Sequence, residues 1–274
     1  MEVPSEALAD ARAILADAAR VVVLTGAGIS AESGVPTFRG EAGLWRDHRP
    51  EELATPDAFA RDPALVWAWY AWRRELVGAC RPNAGHRSLA GWLLDHPERR
   101  LVSQNVDGLH ERAAGDVALE RGVEPDGALP LDLHGSLFGD RCADCGRRTS
   151  GRDRAIDASS VAALPRCEAC GSLLRPDVVW FGEALDPDVI GAAFTAAESA
   201  DVCLVVGTSA VVHPAASVPL ATLQSGGHLV EVNPEPTALT RHCRVQLPGP
   251  AAAVLPVLLG GGPEQGSKAG ASAT

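Results

Sequence analysis

A chain of 274 residues, 46% hydrophobic and 22% charged, is long enough for one large domain, or a domain carrying a smaller insertion, and needs no disulfide to hold its core. No run approaches the ~18 uninterrupted apolar residues of a membrane span. The net charge of −11 argues against general affinity for nucleic acid. Lys268 is the only lysine, so nearly every cation is an arginine.

Met1 to Arg20 is Ala-rich, carries acids and reads as an amphipathic helix. It lacks the basic start and apolar run of a secretory signal, and a mitochondrial presequence is acid-poor, so a cytoplasmic protein is expected. Val21 to Leu24 is a β-branched run that reads as a buried parallel strand. Gly26-Ala27-Gly28-Ile29-Ser30-Ala31 follows at once. Gly26 and Gly28 permit a tight turn and close approach to a pyrophosphate, which the next helix would meet with its N-terminal amides. Such a turn alone does not separate a nucleotide site from an ordinary loop. Phe38 to Pro82 is helical and tryptophan-rich. Within it Tyr70 and Arg73 share a helix face, where a phenol and a forked guanidinium can grip a carboxylate. Spacing does not choose between Arg73 and Arg74, and an amphipathic helix with its arginines in solvent fits the pattern as well.

His86 to Leu94 reads as a helix, Leu101 to Gln104 as a strand, Asp188 to Ala200 as a helix, and Val202 to Val206 and His228 to Val232 as strands. This alternation predicts an α/β fold with a Rossmann-like, doubly wound parallel sheet. The strand-end segments Thr25-Gly26, Asn105-Val106-Asp107, Gly207-Thr208-Ser209 and Asn233-Pro234-Glu235 would converge on one edge as a cofactor crevice. Between His110 and His134, the stretch Glu120 to Gly127 carries Pro125, Gly127 and charges, and is expected to be a surface loop. His134 precedes the first cysteine pair, where a cleft beside the sheet would open. A histidine there can take a proton near neutral pH, or simply be structural.

Cys142-Ala143-Asp144-Cys145 and Cys167-Glu168-Ala169-Cys170 are two C-x-x-C pairs separated by 21 residues. Four thiolates at this spacing form a tetrahedral zinc site with no position left for water, so the metal is expected to be structural. Cys80, Cys203 and Cys243 fit no such pattern. The expected division is a Rossmann-like domain from 6–38, 86–134 and 184–259, and a smaller domain from the helical stretch 39–85 and the zinc ribbon 135–183. A disordered tail is expected over 260–274.

These strings, with Glu32-Ser33-Gly34-Val35-Pro36-Thr37-Phe38-Arg39-Gly40, Gln104 to His110, His134-Gly135-Ser136 and Val178 to Glu183, resemble the sirtuins, NAD-dependent protein lysine deacylases, over roughly residues 10 to 255. The resemblance implies that Gly26, Ala27, Gly28, Ile29, Glu32, Thr37, Phe38, Arg39 and Trp45 serve the NAD pyrophosphate and the loop over it, with Phe38 shielding the nicotinamide side from water. Gln104, Asn105, Val106 and Asp107 would serve the nicotinamide and its ribose. Gly207, Thr208, Ser209, Asn233, Pro234, Glu235 and Ala251 would serve the adenosine half.

His134 would be the general base and Asn105 a further catalytic residue. Val178, Val179, Trp180 and Phe181 would line the tunnel for the acylated lysine and add the substrate peptide as a strand. In the implied reaction the acyl oxygen attacks the nicotinamide ribose as nicotinamide leaves, and the base takes a proton from a ribose hydroxyl. The products are free lysine, nicotinamide and O-acyl-ADP-ribose. Ala54, Tyr70 and Arg73 resemble the class III members, which prefer succinyl, malonyl or glutaryl lysine. In that pattern it is Arg73, not Arg74, that binds the distal carboxylate.

The segment between His110 and His134 is longer than is usual in the family. A monomer acting on acylated lysines of proteins or peptides, with no nucleic-acid or membrane partner, is expected. Plain deacetylation, mono-ADP-ribosylation on the same scaffold, or a non-catalytic zinc-ribbon module are the alternatives.

Overall fold

The computed structural model describes residues 4–36 and 49–260. Among these residues the elements run α1 (Ser5–Asp17), β1 (Val21–Thr25), α2 (Pro50–Leu53), α3 (Pro56–Arg61), α4 (Pro63–Ala79), α5 (Ala84–Leu94), β2 (Arg99–Ser103), α6 (Leu109–Arg121), β3 (Pro130–Asp132), β4 (Gly135–Cys142), β5 (Arg148–Ser150), β6 (Leu174–Val178), α7 (Pro187–Ser199), β7 (Val202–Val206), α8 (Val218–Gln224), β8 (His228–Asn233), β9 (Val245–Pro248) and α9 (Ala251–Leu259). No helix among them is long and apolar enough to cross a membrane.

Six strands form one parallel sheet in the order β3-β2-β1-β7-β8-β9. Strand order reverses between β1 and β7, which makes that junction the switch point where ligands of such sheets bind. Both faces are covered, and the alternation along β1 shows it. Val21 and Val23 pack with residues of α1, α5, α6 and α9, whereas Val22 and Leu24 pack with residues of α7 and α8.

A third apolar cluster gathers Leu53, Phe59, Trp67, Trp69 and Tyr70 with Leu137, Leu174 and Trp180. It joins the helices α2–α4 to an antiparallel sheet of order β5-β4-β6. Helix α4 starts on Asp62, whose carboxylate accepts from the Leu65 amide at 2.9 Å. It buries Val66, Trp67, Trp69, Tyr70, Arg73, Arg74 and Val77, a stripe at helical spacing.

Two local expectations gain detail. The helix expected after β1 is a 3-10 helix, Ala27–Ser33. The need for Gly28 is also internal: a Cβ there would stand 2.6 Å from the Gly207 carbonyl oxygen, and Gly207 itself has φ +59°. The glycines let β1 and β7 close on each other at the switch point. In addition, the surface loop expected over Glu120 to Gly127 starts where α6 ends at Arg121; residues 122–127 are mostly exposed and lead through a 3-10 turn, Asp126–Ala128, to β3, an edge strand beside β2. Thr37, Phe38, Arg39, Trp45 and the expected tail from 261 lie outside the described residues.

Candidate active site and metal centre

At the carboxyl edge of the sheet the strand ends tie to one another. Gly26 N donates to Val206 O at 3.0 Å, Gly28 N to Gly207 O at 2.7 Å and Gln104 N to Thr25 O at 3.0 Å. The Gln104 amide donates to Thr208 Oγ1 at 3.0 Å, and Asn233 Nδ2 to Thr208 O at 3.4 Å. A cavity of about 440 Å³ opens beside these contacts and runs to the three-stranded module. Its walls include Gly26, Ala27, Ala54, Tyr70, Arg73, Gln104, Asn105, Val106, His134, Val178, Val179, Trp180, Phe181, Thr208 and Ser209.

Other expected cofactor residues stand off this cavity. Ile29 is fully buried in the core. Its carbonyl accepts from the Asn83 side-chain amide at 2.8 Å. Glu32 accepts from Ala252 N at 3.3 Å, at the start of α9 and next to Ala251. Asn233, Pro234 and Glu235 end β8, where Asn233 Nδ2 also donates to Glu235 O at 3.0 Å.

His134 is held from both sides of the cleft. Its Nδ1 is 2.7 Å from Gln104 O, and its own carbonyl accepts from Val179 N at 2.9 Å. A backbone carbonyl only accepts, so Nδ1 carries the proton and Nε2 keeps a free lone pair. Burial lowers its pKa from the ordinary histidine value, against the opposing pull of the Gln104 carbonyl. The imidazole is therefore a neutral base at neutral pH. Gly135 follows for steric reasons, with φ +76° and a Cβ position only 2.2 Å from Asp177 O.

Behind the cavity, Ser30 is a hub that sequence reading did not assign. His86 Nδ1 accepts from Asn83 N at 3.4 Å, so the neutral ring carries its proton on Nε2, which lies 3.3 Å from Ser30 Oγ. Asn105 Nδ2 donates to the same oxygen at 3.3 Å, and Ser30 donates onward to Asp107 Oδ2 at 2.7 Å. Leu109 N holds Asp107 Oδ1 at 2.9 Å. Burial lowers the His86 pKa to about 4 and raises that of Asp107. The chain of donors thus fixes Asn105 and Asp107 as a unit. Its signal was present in the Gly26–Ala31 string, but its partners lie more than 50 residues away.

The two arginines of α4 have different fates. Arg74 donates to Leu137 O at 2.7 Å, Gly139 O at 2.8 Å, Gly151 O at 3.3 Å and Asp140 Oδ1 at 2.8 Å. Arg73 lines the cavity, its guanidinium carbon 4.8 Å from the Trp69 ring centre and 5.4 Å from that of Tyr70. The Tyr70 hydroxyl oxygen accepts from Trp180 Nε1 at 2.9 Å. Burial raises the Tyr70 pKa, so the phenol stays protonated.

The stretch expected to add a peptide strand has its amides engaged. Val179 N donates to His134 O, Trp180 N to Glu183 Oε2 and Phe181 N to Ala54 O, each at 2.9 Å. A peptide pairing here would draw on carbonyl oxygens, not on these amides. Phe181, Val211 and Val212 leave large apolar surfaces exposed around the mouth, and the last two were not expected from sequence.

The four cysteines converge at the end of the small sheet, with every sulfur within 4.8 Å of the others. Cys142 and Cys170 sulfurs are 3.4 Å apart, Cys145 and Cys167 sulfurs 3.7 Å. Tetrahedral thiolates at a Zn–S length of about 2.3 Å would stand roughly 3.8 Å apart, so the set fits zinc and leaves no open position. Each pair is followed by a left-handed glycine, Gly146 at φ +72° and Gly171 at φ +75°, which turns the knuckle.

A doubly wound sheet, a neutral histidine in the cleft beside it and a four-cysteine module define a nucleotide-binding α/β protein with a structural zinc. Residues 26–214 match the Sir2 family, and the chain belongs to that family. It is 48% identical over 246 residues to the NAD-dependent protein deacylase 2 of Pyrobaculum aerophilum, covering 90% of this chain and 92% of the relative. It is 49% identical over 253 residues to the NAD-dependent protein deacylase 1 of Pseudomonas aeruginosa, covering 90% and 95%. Among solved structures it resembles a Sir2 homolog–NAD complex, with a TM-score of 0.80, 47% identity and 92% of each chain covered. It also resembles a Sir2 bound to acetylated peptide, with a TM-score of 0.75, 28% identity and 90% and 95% covered.

Proposed function

We propose that the protein is an NAD-dependent protein lysine deacylase that prefers acidic acyl groups such as succinyl, malonyl or glutaryl. Carrying this reading is one observation: Tyr70 and Arg73 line the same cavity as His134 and Asn105. Support for the NAD-dependent reaction comes from the relatives' names and the crevice at the sheet edge.

In this reading the acylated lysine enters between Ala54 and the Val178–Phe181 stretch. Small Ala54 leaves room for a longer acyl chain. Arg73 supplies a buried cation and Tyr70 a proton donor to the distal carboxylate, a charge-assisted pair in a low-dielectric pocket. The NAD would lie across the switch point, its nicotinamide half near Gln104, Asn105 and Asp107 and its adenosine half toward Gly207–Ser209, Asn233 and Ala251. His134 Nε2 would take the proton of a ribose hydroxyl, while Nδ1 keeps its own proton on Gln104 O. Bound NAD would supply a ribose carbon that gives up nicotinamide to the acyl oxygen, and a ribose hydroxyl that ends up carrying the acyl group.

The test is a mass-spectrometric assay of the purified protein with NAD and one peptide sequence bearing acetyl- or succinyl-lysine. Faster removal of succinyl, with matching nicotinamide and O-succinyl-ADP-ribose, is the expected result. Acetyl removal alone would reduce the reading to a deacetylase. Transfer of ADP-ribose to protein without loss of acyl group would replace it with a transferase.

A further inference from the structure

Trp180 lies in the wall of the cavity and is 2% exposed, yet it is not held by apolar packing alone. The Arg175 guanidinium carbon stands 3.4 Å from its ring centre. Arg175 in turn makes a forked pair with Glu183, at 2.5 and 2.8 Å, and donates to Val178 O at 2.7 Å. Glu183 closes the loop by accepting from the Trp180 backbone amide at 2.9 Å. Phe59 also packs against the indole, 5.4 Å between ring centres and tilted at 46°. Ring, backbone and flanking carbonyl are thus fixed by one arginine–carboxylate pair, and the indole N–H is left aimed at Tyr70 Oη, 2.9 Å away.

That bond has a directional consequence. An indole N–H can only donate, so the Tyr70 oxygen must accept there. Arg73, its guanidinium carbon 5.4 Å from the Tyr70 ring centre, likewise has only donors to offer, since a guanidinium has nothing to accept with. The single Tyr70 proton can satisfy neither neighbour and must point elsewhere, and Tyr70, though buried, is part of the cavity wall. The phenol is therefore set as a donor before any ligand arrives, and no rotor has to be ordered on binding. An acyl group ending in a methyl offers this donor nothing. One ending in a carboxylate accepts it.

We propose that Trp180 is a positioning residue for acyl selectivity, acting through its N–H bond to Tyr70 so that the phenol proton is presented to a carboxylate at the end of the acyl chain. The inference rests on the acidic-acyl reading above and assigns to Trp180 a role other than lining the tunnel.

The experiment compares kcat/KM for succinyl- and acetyl-lysine in the same peptide across wild type, Trp180→Phe, Tyr70→Phe and the double variant. Losing one buried hydrogen bond should lower the succinyl-to-acetyl ratio about fivefold in Trp180→Phe, chiefly through the KM for succinyl peptide. Tyr70→Phe should lower the ratio at least as far, and adding Trp180→Phe to it should lower it no further, because the bond is already gone. Should Trp180→Phe fail to fold, replacing the indole by benzothiophene keeps the ring over Arg175, puts sulfur at the N–H position and is expected to give the same fall. An unchanged ratio in these variants, or independent losses in the double variant, overturns the role of Trp180. A wild-type enzyme with no succinyl preference overturns the acidic-acyl reading and this inference together, so the two failures are told apart by the wild type alone.

Discussion

At the scale of single residues, His134, the base of the proposed reaction, is set by a carbonyl rather than by a carboxylate. A carbonyl fixes its tautomer and burial keeps it neutral. The sign follows directly. Burial depresses the pKa below the ordinary ~6.5 of histidine, and the active form is the unprotonated one. Activity carried by His134 is therefore full above its pKa and falls as pH drops through it. The acid limb of log kcat/KM against pH should have its midpoint below the ordinary histidine value, and a midpoint above it would contradict the assignment. From the sequence His134 was legible as a candidate because it stood beside the cysteine pairs. Its tautomer was not, because the deciding carbonyl belongs to Gln104, 30 residues earlier and on another strand end.

At the scale of elements, helix α4 carries two adjacent arginines with opposite duties. Arg74 meets four oxygens presented by the segment from Leu137 to Gly151, and Asp140, fully buried, depends on it and on Arg154. Arg74→Met would leave buried Asp140 with Arg154 alone and strand several carbonyls, at a cost of about 3 kcal/mol. Thermal unfolding should show it as a large fall in melting temperature, and a shift of a degree or two would mean the contacts carry little. The choice between Arg73 and Arg74 could not be made from spacing, since both i+3 and i+4 from Tyr70 share its face. What separates them is β4, which comes more than 60 residues later. The strands themselves were legible from their β-branched runs, and α7 and α5 from their apolar spacing. Helix α6 was missed where polar Glu120-Arg121 and the following Pro125 and Gly127 read as loop. Its apolar face consists mostly of alanines, which give a weak periodic signal.

At the scale of the molecule, the cavity runs between two differently built bodies. A parallel sheet with its crevice at the switch point supplies Gln104, Asn105, Asp107 and Ser209. The module of α2–α4 with β4–β6, built on its own apolar core and carrying the cysteine cluster at one end, supplies Tyr70, Arg73 and Trp180. His134 sits where they meet, bonded to Gln104 on one side and Val179 on the other. The two chemistries of the proposed reaction, handling the nucleotide and reading the acyl chain, are in this way built on separate cores. The motifs of each body were legible as short strings, but their joint cavity is a product of contacts between residues more than 100 positions apart, such as Trp180 with Tyr70 and Phe181 with Ala54.

The measurement that bears most directly on the account is kcat/KM for succinyl- and acetyl-lysine peptides with NAD, wild type against Arg73→Met. Removing a cation that binds the distal carboxylate should lower the succinyl value by about tenfold or more while the acetyl value falls much less. Equal losses on both peptides would contradict the account and make Arg73 a support of the fold.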